Sequence, residues 1–496
     1  MRFLLPLLFL VSVLVISCEP KEDVLTTDSS ARLAFSADTI KFDTVFVATG
    51  TVSRRLWVYN RNPRAVRVEE ISLPSRPGVT YNLLVNGDAG AVARNVEIRG
   101  RDSLLVLVRA TIDPTPTNGK PFLVEDDLRF RTNGNEQQVK VVSYGQNAYF
   151  HDAETLPCNA VWRNDKPHVI YNSVLVDSAC TLTIEAGTRI YSHAGSFLVV
   201  RGRLLVNPTL APSGELKPDS RLFVRFQADR LEERYNDVPG QWGGIQFGPS
   251  SHNNVVRFAE IKNASFGLWI VNLKNRQPRP RVTVENSVIQ NISSAPQALA
   301  GGISLSGAGL LGISGDFTVR NTLLANCAEY AVWGVQGGDY SFDYCTIANY
   351  TGRRETPSVL LASSIRINGQ PGPVVAPRLS MRNSIVVGSQ EDELELVNGE
   401  QYASNISIRN SLLRTRKYAQ PGPLTFTGNG NILNPTAPIF LSTPQRPRGL
   451  SFNYQLDTLS PASNQGLPLP TLTTDLLHRP RDPQRPDLGA YERKNP

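Results

Sequence analysis

The sequence is poor in the residue patterns that build metal, nucleotide and nucleophile sites. It contains five histidines, which are scattered without His-x-His or His-Glu-x-x-His spacing (His151, His168, His193, His252 and His478). Its five cysteines do not cluster as zinc ligands do. Gly-x-Ser-x-Gly elbows, P-loops and dinucleotide fingerprints are also missing. We therefore expect neither a cofactor nor a metal site, unless the chain is a lyase that uses Ca²⁺.

A block of basic charge is likewise missing. The formal net charge of +7 is spread along 496 residues. Nucleic-acid-binding proteins usually concentrate Lys and Arg on one face or in one run. We therefore expect a solvated surface and no nucleic-acid partner.

The first residues have the pattern of a targeting segment. Arg2 is followed by an apolar stretch, Phe3 to Ile16, that is too short to span a bilayer. The end of this stretch, Leu-Val-Ile-Ser-Cys18, resembles the lipobox of bacterial lipoproteins, which implies cleavage after residue 17 and acylation of Cys18. An ordinary signal peptide with a chance cysteine is the alternative. Lys21 and the two acidic residues after it resemble the surface-export signal of Bacteroidota lipoproteins. We expect an outer-membrane lipoprotein held by its lipid anchor, on either the cell surface or the periplasmic face.

One short phrase recurs six times between residues 256 and 413, at intervals of 23 to 39 residues. The six copies begin at Val256, Val284, Val319, Phe342, Met381 and Ile408, and four of them contain Asn at the third position (Asn286, Asn321, Asn383 and Asn410). Apolar residues alternate along each copy up to its third position, and the parity then shifts. This pattern predicts a strand, a sharp corner and a second strand, repeated in stacked coils. Parallel crossovers are right-handed, so we predict an all-β chain built on a right-handed parallel β-helix.

The outward positions of the same phrase carry charges that nearly alternate in sign. They are Arg257, Glu285, Arg320, Asp343, Arg382 and Arg409. Opposite charges on neighbouring strands stabilise each other modestly. We interpret the column as a surface ion ladder and the Asn column as structural, with an active-site groove as the alternative for the charges.

The composition and strand pattern of the sequence divide the chain into five segments. We predict a signal peptide (1–17), a polar tether (18–32), a β-sandwich with short alternating strands (33–150), the β-helix (151–440) and a C-terminal cap (441–496). The strands near Phe42, Trp57 and Val66 resemble immunoglobulin-like domains of bacterial surface proteins.

From Cys158 onward the chain resembles a known family. The residues that carry the likeness include Cys158, Trp162, Gln241-Trp-Gly-Gly-Ile245 and the closing run Pro486-Asp-Leu-Gly-Ala-Tyr-Glu492. They resemble the lipid-anchored, pectate-lyase-like β-helix proteins of Bacteroidota, whose activities are mostly unassigned. The resemblance implies the fold and the cellular location of the protein but no catalysed reaction.

Cysteine positions predict one cross-link. Cys158 and Cys180 flank the first coil in an oxidising compartment, so we expect a disulfide between them. We expect Cys327 and Cys345 to be buried small side chains.

Two sets of residues are candidates for function. Trp269 and Trp333 align in the repeat with Gln246 and Ser304, and an exposed pair of rings would form a platform for sugars; a loop folded over the rings is the alternative. The acidic residues Glu232, Glu233 and Asp237 precede Trp242 and are catalytic candidates. We expect a non-catalytic scaffold that binds a glycan or another surface macromolecule, like an adhesin. A polysaccharide lyase or glycosidase on the same helix is the alternative.

Overall fold

The computed structural model describes residues 23–47, 50–75, 77–114, 122–293, 297–299, 303–351, 354–443 and 452–493. The chain divides into two compact units, Met1–Ala148 and Tyr149–Pro496. Cys18 and the segment expected to be a signal peptide lie outside the described residues.

The first unit is a sandwich of two five-stranded sheets, ordered β1-β3-β8-β5-β6 and β2-β10-β9-β4-β7. Its strands alternate between buried and exposed residues, as in Val79–Val85, because each sheet buries only one face. The strands are β1 (Leu33–Phe35), β2 (Thr39–Phe46), β3 (Arg54–Asn60), β4 (Val66–Ser72), β5 (Val79–Val85), β6 (Asp88–Gly90), β7 (Val92–Ile98), β8 (Ser103–Ile112), β9 (Phe122–Thr132) and β10 (Asn135–Gln146).

The prediction of a polar tether is wrong for residues 23–32. Leu25 forms a bridge with Ala65, and Ala31 is buried in the sandwich core. The Asn133 amide donates to the Thr26 carbonyl at 3.0 Å. The few apolar side chains in this polar stretch are enough to hold it on the sheet.

The second unit is a parallel β-helix. Its early strands are β11 (Tyr149–Thr155), β12 (Ala160–Trp162), β13 (His168–Val176), β14 (Thr181–Ile184), β15 (Arg189–Ser192), β16 (Phe197–Val200), β17 (Arg203–Val206), β18 (Val224–Ala228), β19 (Gly244–Phe247), β20 (Asn254–Arg257), β21 (Ala259–Lys262) and β22 (Leu268–Val271). The later ones are β23 (Arg281–Glu285), β24 (Val288–Ile292), β25 (Gln297–Leu299), β26 (Ile303–Leu305), β27 (Ala308–Ile313), β28 (Asp316–Arg320), β29 (Leu323–Cys327), β30 (Tyr330–Val335), β31 (Asp339–Asp343), β32 (Thr346–Asn349), β33 (Val359–Ala362), β34 (Arg366–Ile367), β35 (Gln370–Pro371), β36 (Arg378–Arg382), β37 (Ile385–Gly388), β38 (Leu394–Val397), β39 (Ile406–Arg409), β40 (Leu412–Leu413), β41 (Ile432–Leu433), β42 (Phe440–Ser442) and β43 (Asn453–Leu456). Short 3₁₀ turns occur at Glu233–Tyr235, Gly399–Asn405 and Lys417–Ala419.

Each coil contributes one strand to each of three parallel faces. The ladder face is β12-β14-β17-β20-β23-β28-β31-β36-β39. The strap face runs through β15, β18, β21, β24, β29, β32, β37, β40 and β41, and the hairpin face through β13, β16, β19, β22, β27, β30, β33 and β38. The predicted all-β fold with parallel coils is confirmed.

The inward columns follow the repeat. Ile261, Ile289, Leu324, Ile347, Val386 and Leu413 stack in register, and each is fully buried. The predicted ion ladder forms in part, as two groups on the ladder face: Glu285 contacts Arg257 at 3.2 Å and Arg320 at 3.1 Å, and Arg382 contacts Asp343 at 2.7 Å.

The corners between the ladder and strap faces require a left-handed backbone. Asn286, Asn321, Asn383 and Asn410 adopt φ angles of 45° to 51°, which Asn tolerates better than most residues. After three of these corners the next residue carries a hydroxyl that accepts a hydrogen bond from a backbone N–H of the neighbouring coil: Ser287 from Ala259 at 3.2 Å, Ser384 from Cys345 at 3.1 Å and Ser411 from Ser384 at 3.2 Å. The corner prediction is confirmed, and the hydroxyl column was not foreseen.

The C-terminal segment lies along the strap face. We call its described part, residues 452–493, the C-terminal strap. Its apolar side chains, including Tyr454, Leu476 and Leu488, form one buried cluster with outward residues of the coils such as Leu323 and Ile385. The segment predicted to close the helix therefore covers the flank of several coils.

Candidate functional site

A cavity of about 530 Å³ lies between the strap face and the C-terminal strap. We call it the flank groove. Its lining combines two carboxylates (Asp237 and Glu260), five amides (Gln290, Asn291, Asn326, Asn453 and Gln455) and four aromatic rings (Phe223, Phe452, Tyr454 and Tyr491). Its volume is in the range of ordinary small-ligand pockets.

The floor of the groove is built by outward residues of three consecutive coils. Ile261 points inward, so Glu260 beside it points outward. Arg225 from the preceding coil donates to one Glu260 oxygen at 3.1 Å, and Gln290 from the following coil donates to the other at 3.0 Å. The carboxylate is therefore held in one orientation, with lone pairs still available to a hydroxyl in the groove.

The rim on one side belongs to the loop before Trp242. Asn291 donates to the Asp237 carboxylate at 3.1 Å, and Asn263 donates to the Asn236 carbonyl at 2.8 Å. Gln241 donates to the Val238 carbonyl at 2.7 Å. Asn291 and Asn263 of the coils thus attach the loop, and the Gln241 bond closes the loop on itself, so that together they fix the place of Asp237.

The opposite wall comes from the C-terminal strap. The Tyr454 hydroxyl donates to the Asn326 side-chain oxygen, which joins the strap to the end of β29. Burial raises the pKa of Tyr454, so its phenol remains a hydrogen-bond donor at neutral pH. Phe452 leaves 45% of its surface exposed at the mouth of the groove. The wall therefore combines a fixed polar group with an accessible ring face.

The corner asparagines hold the strap in place. Asn286 donates to the Asp475 carbonyl at 2.7 Å, and Asn321 donates to the Thr474 carbonyl at 2.9 Å. Asn383 both donates to and accepts from the backbone of Leu467, at 2.8 Å and 2.9 Å. The Asn column is thus structural, as predicted, although these three amides bind the strap backbone rather than one another.

A buried charge cluster completes the attachment of the strap. The Arg481 guanidinium lies 3.9 Å from the Tyr344 ring centroid, donates to Asn321 at 3.0 Å and pairs with Glu492 at 3.3 Å. Burial lowers the pKa of Arg481 and raises the pKa of Glu492. Because each charge would be costly without its partner, the cluster specifies one docked position for the strap.

The structure brings one of the three catalytic candidates into the groove. Asp237 lines the groove, whereas Glu232 is buried and Glu233 is exposed, and neither contributes to the lining. Glu260 is the carboxylate that sequence reasoning missed. The position of Glu260 next to an inward isoleucine predicts that its side chain points outward. This pattern alone does not distinguish Glu260 from the other outward charged residues.

The expected tryptophan platform is not exposed, which corrects the prediction. Trp269 and Trp333 do share a column on the hairpin face, with Leu311 between them. Trp269 is only 5% exposed and packs with Phe266 in a cluster that includes residues of the β25–β26 hairpin. An outward column this apolar is more stable when it is covered.

The other two residues of the predicted platform lie apart. Gln246 neighbours Trp269 in the column, as expected. Ser304 is exposed in the hairpin, where it pairs with Ala298 outside the column. Trp333 is partly buried and stacks on Tyr330 with 4.9 Å between ring centroids.

The four cysteines that the structure describes lie where the sequence predicts them. Cys158 and Cys180 form a disulfide with their Cα atoms 4.6 Å apart. Cys327 and Cys345 are free and buried, and burial raises the pKa of the Cys327 thiol to about 12. Within the part of the chain that the structure describes, no three His, Cys, Asp or Glu side chains are close enough to hold a metal ion. No helix of that part is long and apolar enough to cross a membrane.

No protein-family model matches the chain, and no curated protein does. Among solved structures, a Porphyromonas gingivalis W83 protein of unknown function matches 25% of this chain and 59% of its own at 13% identity, with a TM-score of 0.17. A family 123 glycoside hydrolase from Clostridium perfringens matches 23% of this chain and 25% of its own at 8% identity, with a TM-score of 0.17. A GH87 alpha-1,3-glucanase from Streptomyces thermodiastaticus matches 73% of this chain and 79% of its own at 12% identity, with a TM-score of 0.15.

Proposed function

We propose that the protein is a lipid-anchored protein of the outer membrane that binds a glycan in the flank groove without cleaving it. The observation that carries the proposal is the lining of this groove, where carboxylates and amides lie beside aromatic rings. The anchor is acylated Cys18, and the bound partner is a polysaccharide on or near the cell surface.

The lining offers partners both for the hydroxyl groups and for the C–H face of a sugar ring. Hydroxyl groups donate to carboxylates and accept from amide N–H groups, and Glu260 and Gln290 offer both. The C–H face of a pyranose stacks on aromatic rings, and Phe452 presents such a ring.

The carboxylates favour binding over catalysis. A lyase on this fold would need at least three outward carboxylates beside a base, and the described lining contains two, Asp237 and Glu260. Glu260 is already held between Arg225 and Gln290, as suits a fixed acceptor. A glycosidase that uses both carboxylates is the second candidate function, because both line one groove.

The test is a screen of purified residues 24–496 against a polysaccharide panel, measuring both retention and cleavage. Phe452→Ala should weaken retention about tenfold, since a stacked ring contributes about 1–2 kcal/mol. Phe150→Ala is the matched control, because Phe150 is also an exposed Phe, at 39%, and lies outside the groove.

Retention that survives Phe452→Ala and Gln290→Ala unchanged would contradict binding in the flank groove. Cleavage products that disappear in both Asp237→Asn and Glu260→Gln would establish the glycosidase instead.

A further inference from the structure

A second depression, of about 490 Å³, lies on the outer side of the hairpin face. We call it the basic pocket, because Arg201, Lys274 and Arg276 line it. All three cations are exposed, and no acidic residue occurs in the described lining. The pocket therefore combines a concave shape with an uncompensated positive charge, unlike the flank groove with its two carboxylates.

The loop that carries two of these cations is fixed in place. The fully buried Asn272 side chain accepts from the Arg276 N–H at 2.9 Å and donates to the Arg276 carbonyl at 3.0 Å. Gln336, also fully buried, donates to the Leu273 carbonyl at 3.0 Å. Lys274 and Arg276 are thus presented from a backbone that needs little ordering when a ligand binds.

The floor of the pocket is apolar, although the polar residue Ser250 is also in its lining. Val199 comes from β16, and Val271 and Leu273 come from β22 and the loop after it. Gln246 adds a polar group between them. The lining contains no aromatic ring among its described residues, so nucleobases have nothing on which to stack. An apolar floor with charges at its edge instead suits a ring with C–H faces and attached anions.

We infer that the basic pocket binds an acidic glycan, with sulfate or carboxylate groups on the two arginines and Lys274 and a sugar ring over Val199, Val271 and Leu273. Guanidinium groups match such oxyanions with paired N–H donors. Carboxylates in the flank groove would repel the same ligand. The two sites therefore differ in the charge of the ligand that each favours. The inference does not depend on binding in the flank groove.

The test compares ligands that share one backbone: dextran sulfate, carboxymethyl dextran and neutral dextran, titrated calorimetrically against residues 24–496. Both charged polymers should bind more tightly than dextran. The triple variant Arg201→Ala, Lys274→Ala, Arg276→Ala should lose about tenfold or more in affinity, as three favourable exposed ion pairs together would. The control variant Arg55→Ala, Arg101→Ala, Lys140→Ala removes equal charge from exposed sites of the sandwich and should change affinity less than twofold.

Two further measurements separate a seated glycan from a general attraction of anions. Leu273→Ala should weaken binding of dextran sulfate about threefold while its salt dependence and the melting temperature stay unchanged, because the floor is lost and the charges remain. Equal affinity for a single-stranded DNA of matched charge would overturn the inference. So would equal losses in the triple variant and its control. Gln290→Ala, which alters the flank groove, should leave the binding of dextran sulfate unchanged. The test of the basic pocket is therefore independent of the flank groove.

Discussion

Leu324 and Arg320 are separated by four positions but lie on opposite sides of the coil wall. Leu324 is fully buried between Ile289 and Ile347, whereas 37% of the Arg320 side chain is exposed beside Glu285. Leu324→Ala should lower the free energy of unfolding by about 2–5 kcal/mol, because a cavity remains in a closely packed stack. Arg320→Ala should lower it by about 1 kcal/mol or less, as exposed ion pairs do. Urea denaturation of both variants measures the difference, and a larger effect for Arg320 would invert the assignment of inside and outside.

The first coil contains a pair of histidines in contact, of which His168 is buried and His151 is partly buried. His168 stacks on Trp162 at 4.5 Å and contacts His151 at 2.9 Å between ring nitrogens. Burial, aided by repulsion from His151, lowers the pKa of His168 from 6.5 to about 3, and burial also lowers the pKa of His151. The unfolded chain therefore binds more protons at these histidines than the folded protein does. The stabilisation from His168 is complete above pH 6.5 and is lost as the pH falls toward 3.

Comparing wild type with His168→Phe isolates this effect. A phenyl ring keeps the stacking but does not titrate, and the carboxylates that face the histidine pair, Glu154 and Asp165, are the same in both proteins. Between pH 6.5 and 5, wild type should lose about 2 kcal/mol more stability than the variant, since one pH unit corresponds to about 1.4 kcal/mol. Urea midpoints at the two pH values give the result. Equal losses in both proteins would show that folding leaves the pKa of His168 unchanged.

At the scale of elements, the buried cation Arg481 is one of the groups that hold the strap in place. Arg481 contacts Tyr344 and Asn321 of the coils and Glu492 of the strap itself. Arg481→Met should destabilise docking of the strap by about 3–5 kcal/mol, because Glu492 and its acidic neighbours would remain buried without their cation. Limited proteolysis should then cut within residues 452–493 first.

Arg485 provides the matched control. It lies on the same strap, but its side chain is exposed. Arg485→Met should change stability by less than about 0.5 kcal/mol, as surface substitutions usually do. Equal protease sensitivity of the two variants would mean that the ion cluster does not hold the strap.

At the scale of the whole molecule, the proposed localisation at the outer membrane depends on Cys18. Several acyl chains on one residue anchor a protein stably, whereas the unmodified chain would have no such attachment. Cys18→Ser should therefore leave the protein as an unprocessed precursor or release it from the membrane fraction, as cell fractionation with immunoblotting would show. A processed form that stays in the membrane would contradict the lipid anchor.

The sequence by itself determined the coil, because the coil is a local structure repeated many times. Alternation of Val282 and Val284 defines a strand, Asn286 defines the corner, and the shift of parity to Ile289 defines the next face. Each copy of the phrase repeats the same information, so inward columns, corners and part of the ion ladder were all predictable.

Only the tertiary structure decided which outward surfaces stay open. Trp269 and Glu260 are both outward residues by sequence parity, yet Trp269 is buried in a cluster with Ile303 and Leu305 of β26, whereas Glu260 lines a groove. The covering segments come from elsewhere in the chain; Leu476 of the strap follows Glu260 by more than two hundred residues. Periodicity reports which way a side chain points relative to its own coil. It carries no information about what a distant segment, with no repeat of its own, will cover.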